Sequence, residues 1–338
     1  MSKSRIFTAV LTTVFILGAC SESKTPFNLA DFTRKLHALN WFISGSQESD
    51  IEKVMPFDEH YLLLRHELLD SVDIHELSQA DASTITYLKI QQRYPERYLS
   101  WPVQTNVLAS SPAYFSMQEI DSWLLSVKSR LEDGIESNIN LSRIEKSQLI
   151  EYLSVSEHQS DASSALKVFL EQYKTRSGIG LSQLPNGTEW YQSKLNYYAG
   201  TVSAPHDLLQ IIQHDKSEGF STPEFEWRFT VSKRPFVLAL LGKQCQYEEG
   251  LNWRDHFIDI RKTVLSCSHH LGKDRLYIAA IIAEVDLGVH AFSWSQQQAM
   301  HRLQSKLALD EAQAYALLKN IVFYPATIFV LLEQLKFL

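Results

Sequence analysis

The sequence predicts an all-α protein, and three observations carry that expectation. Apolar residues recur at three- and four-residue spacing through long stretches, the period of a helix with one buried face. Helix-start signals recur, with serine followed three residues later by Glu or Gln. Alternating apolar and polar runs are scarce, EWRFTVSKR (226–234) being the best candidate strand. The chain has 338 residues, 45% of them hydrophobic, with 12 glycines and 10 prolines. That supplies enough apolar material for one large core or two smaller ones.

The N-terminus comes first. Lys3 and Arg5 precede the apolar stretch IFTAVLTTVFILGA, which is short for a bilayer span. The stretch ends in LGAC, Leu17 to Cys20, which resembles a bacterial lipobox, where cleavage before the cysteine is followed by lipid attachment to it. Residues 1–19 are therefore expected to be a lipoprotein signal peptide, Cys20 the lipidation site (palmitate among its acyl chains), and residues 20–26 a lipidated tether. Two or more acyl chains give stable anchoring. Ser21, in place of Asp, implies an outer-membrane lipoprotein facing the periplasm. Loss of residues 1–19 leaves 30 basic against 39 acidic residues, a net charge of −9. Such a body does not lie flat on anionic lipid, and the absence of a basic run argues against a nucleic-acid partner.

The remaining elements follow in order. Helical periodicity marks residues 27–43, 60–72, 120–135 and 165–174. Ser116 with Glu119, Ser142 with Glu145 and Ser295 with Gln298 fit capping boxes. The polar stretch 155–165 suggests a boundary between a helical region at 27–158 and a second at 159–338, unless both share one core. Pro185-Asn186-Gly187 is a turn signal, after which Thr188 is a candidate cap. The helix that follows carries Trp190, Tyr191, Tyr197 and Tyr198, which suit either a core or a pocket wall. Cys245 and Cys267 lie 22 residues apart. An oxidising compartment permits a disulfide between them, and two buried thiols are the alternative.

Three stretches together resemble the bacterial lipoprotein family of the DUF885 type, whose complete members look like helical zinc metallopeptidases. They are GIGLSQLPNGTEWYQSKLNYYAGTVSAPHDLLQI (178–211), EEGLNWRDHF (248–257) and RLYIAAIIAEVDLGVHAFSWSQQQAMHRL (275–303), with a fainter match at YPATIFVLLEQLKFL (324–338). The resemblance covers roughly residues 160–338 and implies a truncated array of the gluzincin-like kind.

What the resemblance lacks bears on activity. Complete members carry a His-Glu-x-x-His helix between the first and second stretches, where two histidines one turn apart hold zinc and the glutamate activates its water. Here that interval, 212–247, contains only His214. HELLD (66–70) and HELSQ (75–79) begin the pattern but fail at its last position and lie in the wrong order. His66 and Asp70 read as a solvated helix face, and His269-His270 as the end of a helix before Gly272. Glu249 aligns with the family's third zinc ligand. Leu251, Leu287, Ala326, Thr327 and Leu331 replace residues the family pattern carries at those points.

The third stretch contains DLGVH, residues 286–290. If the helix runs through Gly288, Asp286 and His290 are i,i+4 neighbours and the acid can orient the ring or raise its pKa. The residues imply a structural Asp–His contact beside a retained cleft. The expectation is a degenerate, peptidase-like binding protein (a pseudoenzyme) with no cofactor, no catalytic residue and no metal ligand. It would hold a peptide, a cell-wall fragment or an envelope protein through Trp190, Tyr191, Tyr198, Glu249, Asp286, His290 and Trp294. The alternatives are a metal-dependent hydrolase rebuilt on His256, His290 and Glu249, and a structural envelope protein that binds through its helical surface.

Overall fold

The computed structural model describes residues 28–39, 54–55, 58–95, 115–155, 159–213, 235–241, 261, 264, 267 and 271–336. Among the described residues the chain forms thirteen α-helices joined by 3-10 turns, with no strand. The candidate strand 226–234 lies outside them.

The first three helices are α1 (Leu29–Ala38), α2 (Glu59–Asp70) and α3 (Gln79–Arg93). Each begins where a short polar side chain satisfies an orphan amide: the Asp58 carboxylate accepts from Tyr61 N at 2.7 Å, and the Ser78 hydroxyl from Asp81 N at 3.2 Å. Phe32 and Leu36 of α1 join Leu69, Val72, Ile85 and Leu88 in a small core of their own. Inside this module Arg65 is fully buried. Its guanidinium donates to the Leu88 carbonyl, the Gln91 and the Gln92 side chains, and burial alone brings its pKa down to about 9.

Next come α4 (Met117–Glu136), α5 (Arg143–Val155) and α6 (Asp161–Gln172). The expected box at Ser116 forms, with both the hydroxyl and the Glu119 carboxylate reaching back. So does that at Ser142, whose amide donates to Glu145 at 2.5 Å. Ile120, Trp123, Leu124, Val127 and Leu131 make the buried stripe of α4, which packs against α6. Arg176 ties the following loop down through Glu145 at 2.8 Å.

The C-terminal array comprises α7 (Gly187–Ala199), α8 (Pro205–Gln213), α9 (Val237–Leu241), α10 (Lys273–His290), α11 (Gln296–Leu307), α12 (Glu311–Phe323) and α13 (Leu332–Leu335). Thr188 does not cap α7. The helix starts one residue earlier, at Gly187, after Asn186 in left-handed backbone (φ 52°). That conformation is one asparagine tolerates. The box at Ser295 forms as expected, and Asp310 with Gln313 makes another.

Helix α10 is the axis of this array. Every residue from Tyr277 to His290 is buried, so it is enclosed on all sides rather than along one stripe. It packs against α8, α11 and α12. One acid on it, Glu284, is balanced by bidentate Arg302 at 2.7–3.0 Å and by Gln213 at 3.2 Å. A single apolar core runs from Val54 to Leu335 and includes residues on both sides of the 155–165 stretch. Cys267 is disulfide-bonded, while Cys245 lies outside the described residues.

Candidate functional site

Of the expected site residues within the described chain, Tyr191, Asp286 and His290 come together beside the last turns of α10, with Trp294 folded against Gly288, whereas Tyr198 packs edge-on against Tyr87 and Tyr197. Three close approaches assemble the place. The loop 178–184 lies directly on the last turn of α10: a β-carbon on Gly180 would sit 1.8 Å from the Val289 carbonyl oxygen. The turn after α10 folds back so that a β-carbon on Gly288 would lie 2.2 Å from the Trp294 indole. Trp294, half-buried, donates its backbone amide to the Gly288 carbonyl at 2.7 Å. The segment after α12 then closes over Asp286 with Ala326 in left-handed backbone, φ 66°.

Asp286 and His290 occupy one face of α10, which runs unbroken through Gly288, but their hydrogen bonds go elsewhere. The Leu181 amide, which can only donate, points at His290 Nδ1 at 3.3 Å. The Ile321 carbonyl, which can only accept, lies 3.1 Å from Nε2. The ring is therefore neutral with its proton on Nε2. It satisfies two backbone groups of the kind left over at helix ends, one at the start of the 3-10 turn Leu181–Gln183 and one in the last turn of α12. The expected pairing with Asp286, and the upward pKa shift it implied, are corrected: burial drives the His290 pKa down to about 3, against the pull of the Ile321 carbonyl. A buried ring supplied with two backbone partners has no use for the neighbouring acid.

Asp286 takes up two groups of its own. The Tyr191 hydroxyl donates to Oδ1, and the Ala326 amide to Oδ1 and Oδ2 at 3.1 and 3.0 Å. Burial raises its carboxyl to about 7, opposed by these two donors and by the Lys194 ammonium. Lys194, one turn along α7 from Tyr191, is itself buried and pushed down to about 7 for the same reason, with Asp286 pulling it back up. Its ammonium donates to the Tyr87 hydroxyl at 3.3 Å, which links α7 to α3. Tyr191 stacks on the His290 ring at 5.3 Å between centroids, and Tyr87 on Tyr197 at 4.3 Å. Burial also lifts the Tyr191 and Tyr198 hydroxyls well above the usual phenol range.

Tyr191, Tyr198, Asp286 and His290 are each 2% exposed or less, and Trp190 is 9% exposed, so these side chains face the interior. Glu249, His256, Cys20, His269 and His270 lie outside the described residues. His66 and Asp70 are exposed on α2. Among the described residues no group of three His, Cys, Asp or Glu side chains is placed to hold a metal ion. Sequence reasoning missed Lys194 and the Ala326 amide. Lys194 carried a usable signal, since it sits three and four residues from Tyr191 and Tyr198 on an otherwise aromatic face.

The sequence matches no protein-family model, and no curated protein matches it. Among solved structures it is similar to a protein from Colwellia psychrerythraea described as a lipoprotein, with a TM-score of 0.56 and 11% identity, over 90% of this chain and 88% of that one. At that identity the likeness is one of fold: the all-α array has a counterpart among known structures.

Proposed function

We propose that the chain is a lipid-anchored protein of the bacterial outer membrane, facing the periplasm, whose helical body binds a ligand without catalysing its breakdown. The observation that carries the non-catalytic part is the commitment of His290. With Nδ1 accepting from Leu181 and Nε2 donating to Ile321, neither nitrogen is left to ligate a metal or accept a substrate proton. Asp286 is likewise occupied by Tyr191 and Ala326. On this reading the segments that resemble the DUF885 type have kept the framework of a peptidase and use it as scaffold. The membrane anchor is supported by the LGAC sequence ending at Cys20 and by the lipoprotein description of the structural neighbour.

The test uses the full chain expressed with its signal sequence. Labelled palmitate is expected to enter the wild-type protein and not Cys20→Ala, and the purified protein to hold no stoichiometric zinc. Tightly held zinc together with turnover of any peptide overturns the non-catalytic reading, and an unlabelled wild-type protein overturns the anchor.

A further inference from the structure

With the polar groups around Asp286 spent internally, a ligand has to be held elsewhere, and the described residues form a groove suited to it. It lies between the start of α2, residues 54–55 and the first three turns of α4, with a volume of about 390 Å³. Small-molecule sites run from roughly 300 to 1,000 Å³. Its lining is mixed. Met55 and Trp123 give it apolar surface, while Asp58, Gln118, Ser122 and Ser126 bring oxygens and an amide. Gln118, Ser122 and Ser126 recur every fourth residue, so α4 offers them as one stripe.

Several of these groups have hydrogen-bonding capacity left over. The Asp58 carboxylate caps α2 by accepting from the Tyr61 amide and from the His60 amide, which leaves lone pairs toward the groove. Burial raises its carboxyl, with His60 and Arg130 pulling it down and Glu59 pushing it up. The Gln118 carboxamide and the half-buried Ser126 hydroxyl make no hydrogen bond among the described residues. Among the described residues no lysine, arginine or histidine lines the groove, which disfavours phosphate or carboxylate ligands. What such a lining takes is a molecule with several hydroxyl or amide donors around an apolar C–H face: the donors meet carboxylate, amide and hydroxyl oxygens, and the C–H face meets Trp123 and Met55.

We infer that the groove binds a saccharide, one or two rings of an uncharged or amino-sugar glycan. The inference rests on the reading of the chain as a non-catalytic binder and adds the ligand class and the place. Its residues belong to the segment leading into α2 and to the start of α4, outside the stretches of sequence that carry the peptidase-like resemblance.

The experiment is calorimetric titration of the full-length protein in detergent with the N-acetylglucosamine trimer, and in parallel with a tetrapeptide containing lysine. The trimer is expected to bind. Gln118→Ala, at an exposed position, should weaken binding roughly tenfold, the loss of one hydrogen bond. Ser122→Trp, also exposed, should abolish binding by filling the groove. Circular dichroism confirms that both variants keep the wild-type unfolding midpoint, and Gln118→Ala stands alone if the tryptophan variant misfolds. Absence of trimer binding, trimer binding unchanged by both variants, or peptide binding blocked by Ser122→Trp overturns the inference. Zinc content and peptide turnover, measured on the same sample, report separately on the non-catalytic reading.

Discussion

The amide of Ala326 donates to both carboxylate oxygens of Asp286, forty residues earlier in the chain, and does so from left-handed backbone at φ 66°. Alanine pays about 1–2 kcal/mol to adopt that conformation and glycine pays nothing. Glycine in turn loses about 0.4–1 kcal/mol through the freer unfolded chain. Ala326→Gly should therefore stabilise the protein by about 0.5 kcal/mol in urea unfolding. Asp286→Ala should cost about 3 kcal/mol, because it leaves the Ala326 amide and the Tyr191 hydroxyl buried without an acceptor.

The pH dependence of stability combines two opposed groups. His290 has its folded pKa lowered to about 3 from 6.5, so between those values the unfolded chain binds the extra proton and this residue makes stability fall as pH falls, by up to ~1.4 kcal/mol per pH unit. Asp286 has its folded pKa raised to about 7 from 3.8, so the folded chain binds the extra proton and stability rises as pH falls through that window. From about pH 6.5 down to 4 the two offset each other. His290→Gln should uncover the Asp286 slope, with the urea midpoint increasing toward acid. Asp286→Asn should uncover the opposite slope. Identical pH profiles for the two variants would show that neither side chain is buried as described.

Lys194 acts on the alkaline side. Its folded pKa, lowered to about 7 from 10.5, means that the unfolded chain holds the proton across that range, so stability rises with pH above 7. Lys194→Met should flatten the profile between pH 7 and 9, measured by thermal unfolding in matched buffers.

Gly180→Ala tests the contact between the loop and α10. Its β-carbon would lie 1.8 Å from the Val289 oxygen, and backbone on both sides cannot move without breaking the Leu181–His290 hydrogen bond. A loss of about 3 kcal/mol or more is expected, with faster amide exchange at Leu181 as the local signature.

Arg302→Met strands the Glu284 carboxylate, which is 5% exposed while its partner is 31% exposed. The cost should be about 2–3 kcal/mol, below that of a fully buried pair because water reaches the arginine. Adding Glu284→Leu should recover most of it. A double variant no better than the single would show that the carboxylate was never the source of the loss.

What could be read in advance divides by distance along the chain. The caps at Ser116, Ser142 and Ser295 were legible because a capping box closes within three residues. The all-α class was legible because helical period is local too. Thr188 misled because the choice between a capping threonine and a helix entered from left-handed Asn186 depends on the loop packed beneath it. The Asp286–His290 pair misled for a related reason: helical spacing puts both on one face, yet the ring binds Leu181 and Ile321, which are 109 and 31 residues away. Such partners are chosen by tertiary packing, and a single sequence does not display it. Gly180 and Gly288 both fall inside the stretches that carry the family resemblance, and the structure gives them a steric role at the crossing of loop and helix.

The continuity of the apolar core from Val54 to Leu335 has a consequence for truncation. Helices α4 and α13 contribute to the same interior, so that interior cannot close until both are present. A chain cut before Leu332 therefore leaves apolar surface of α10 open to solvent, and the exposed interior is expected to bind a hydrophobic dye that the intact protein excludes.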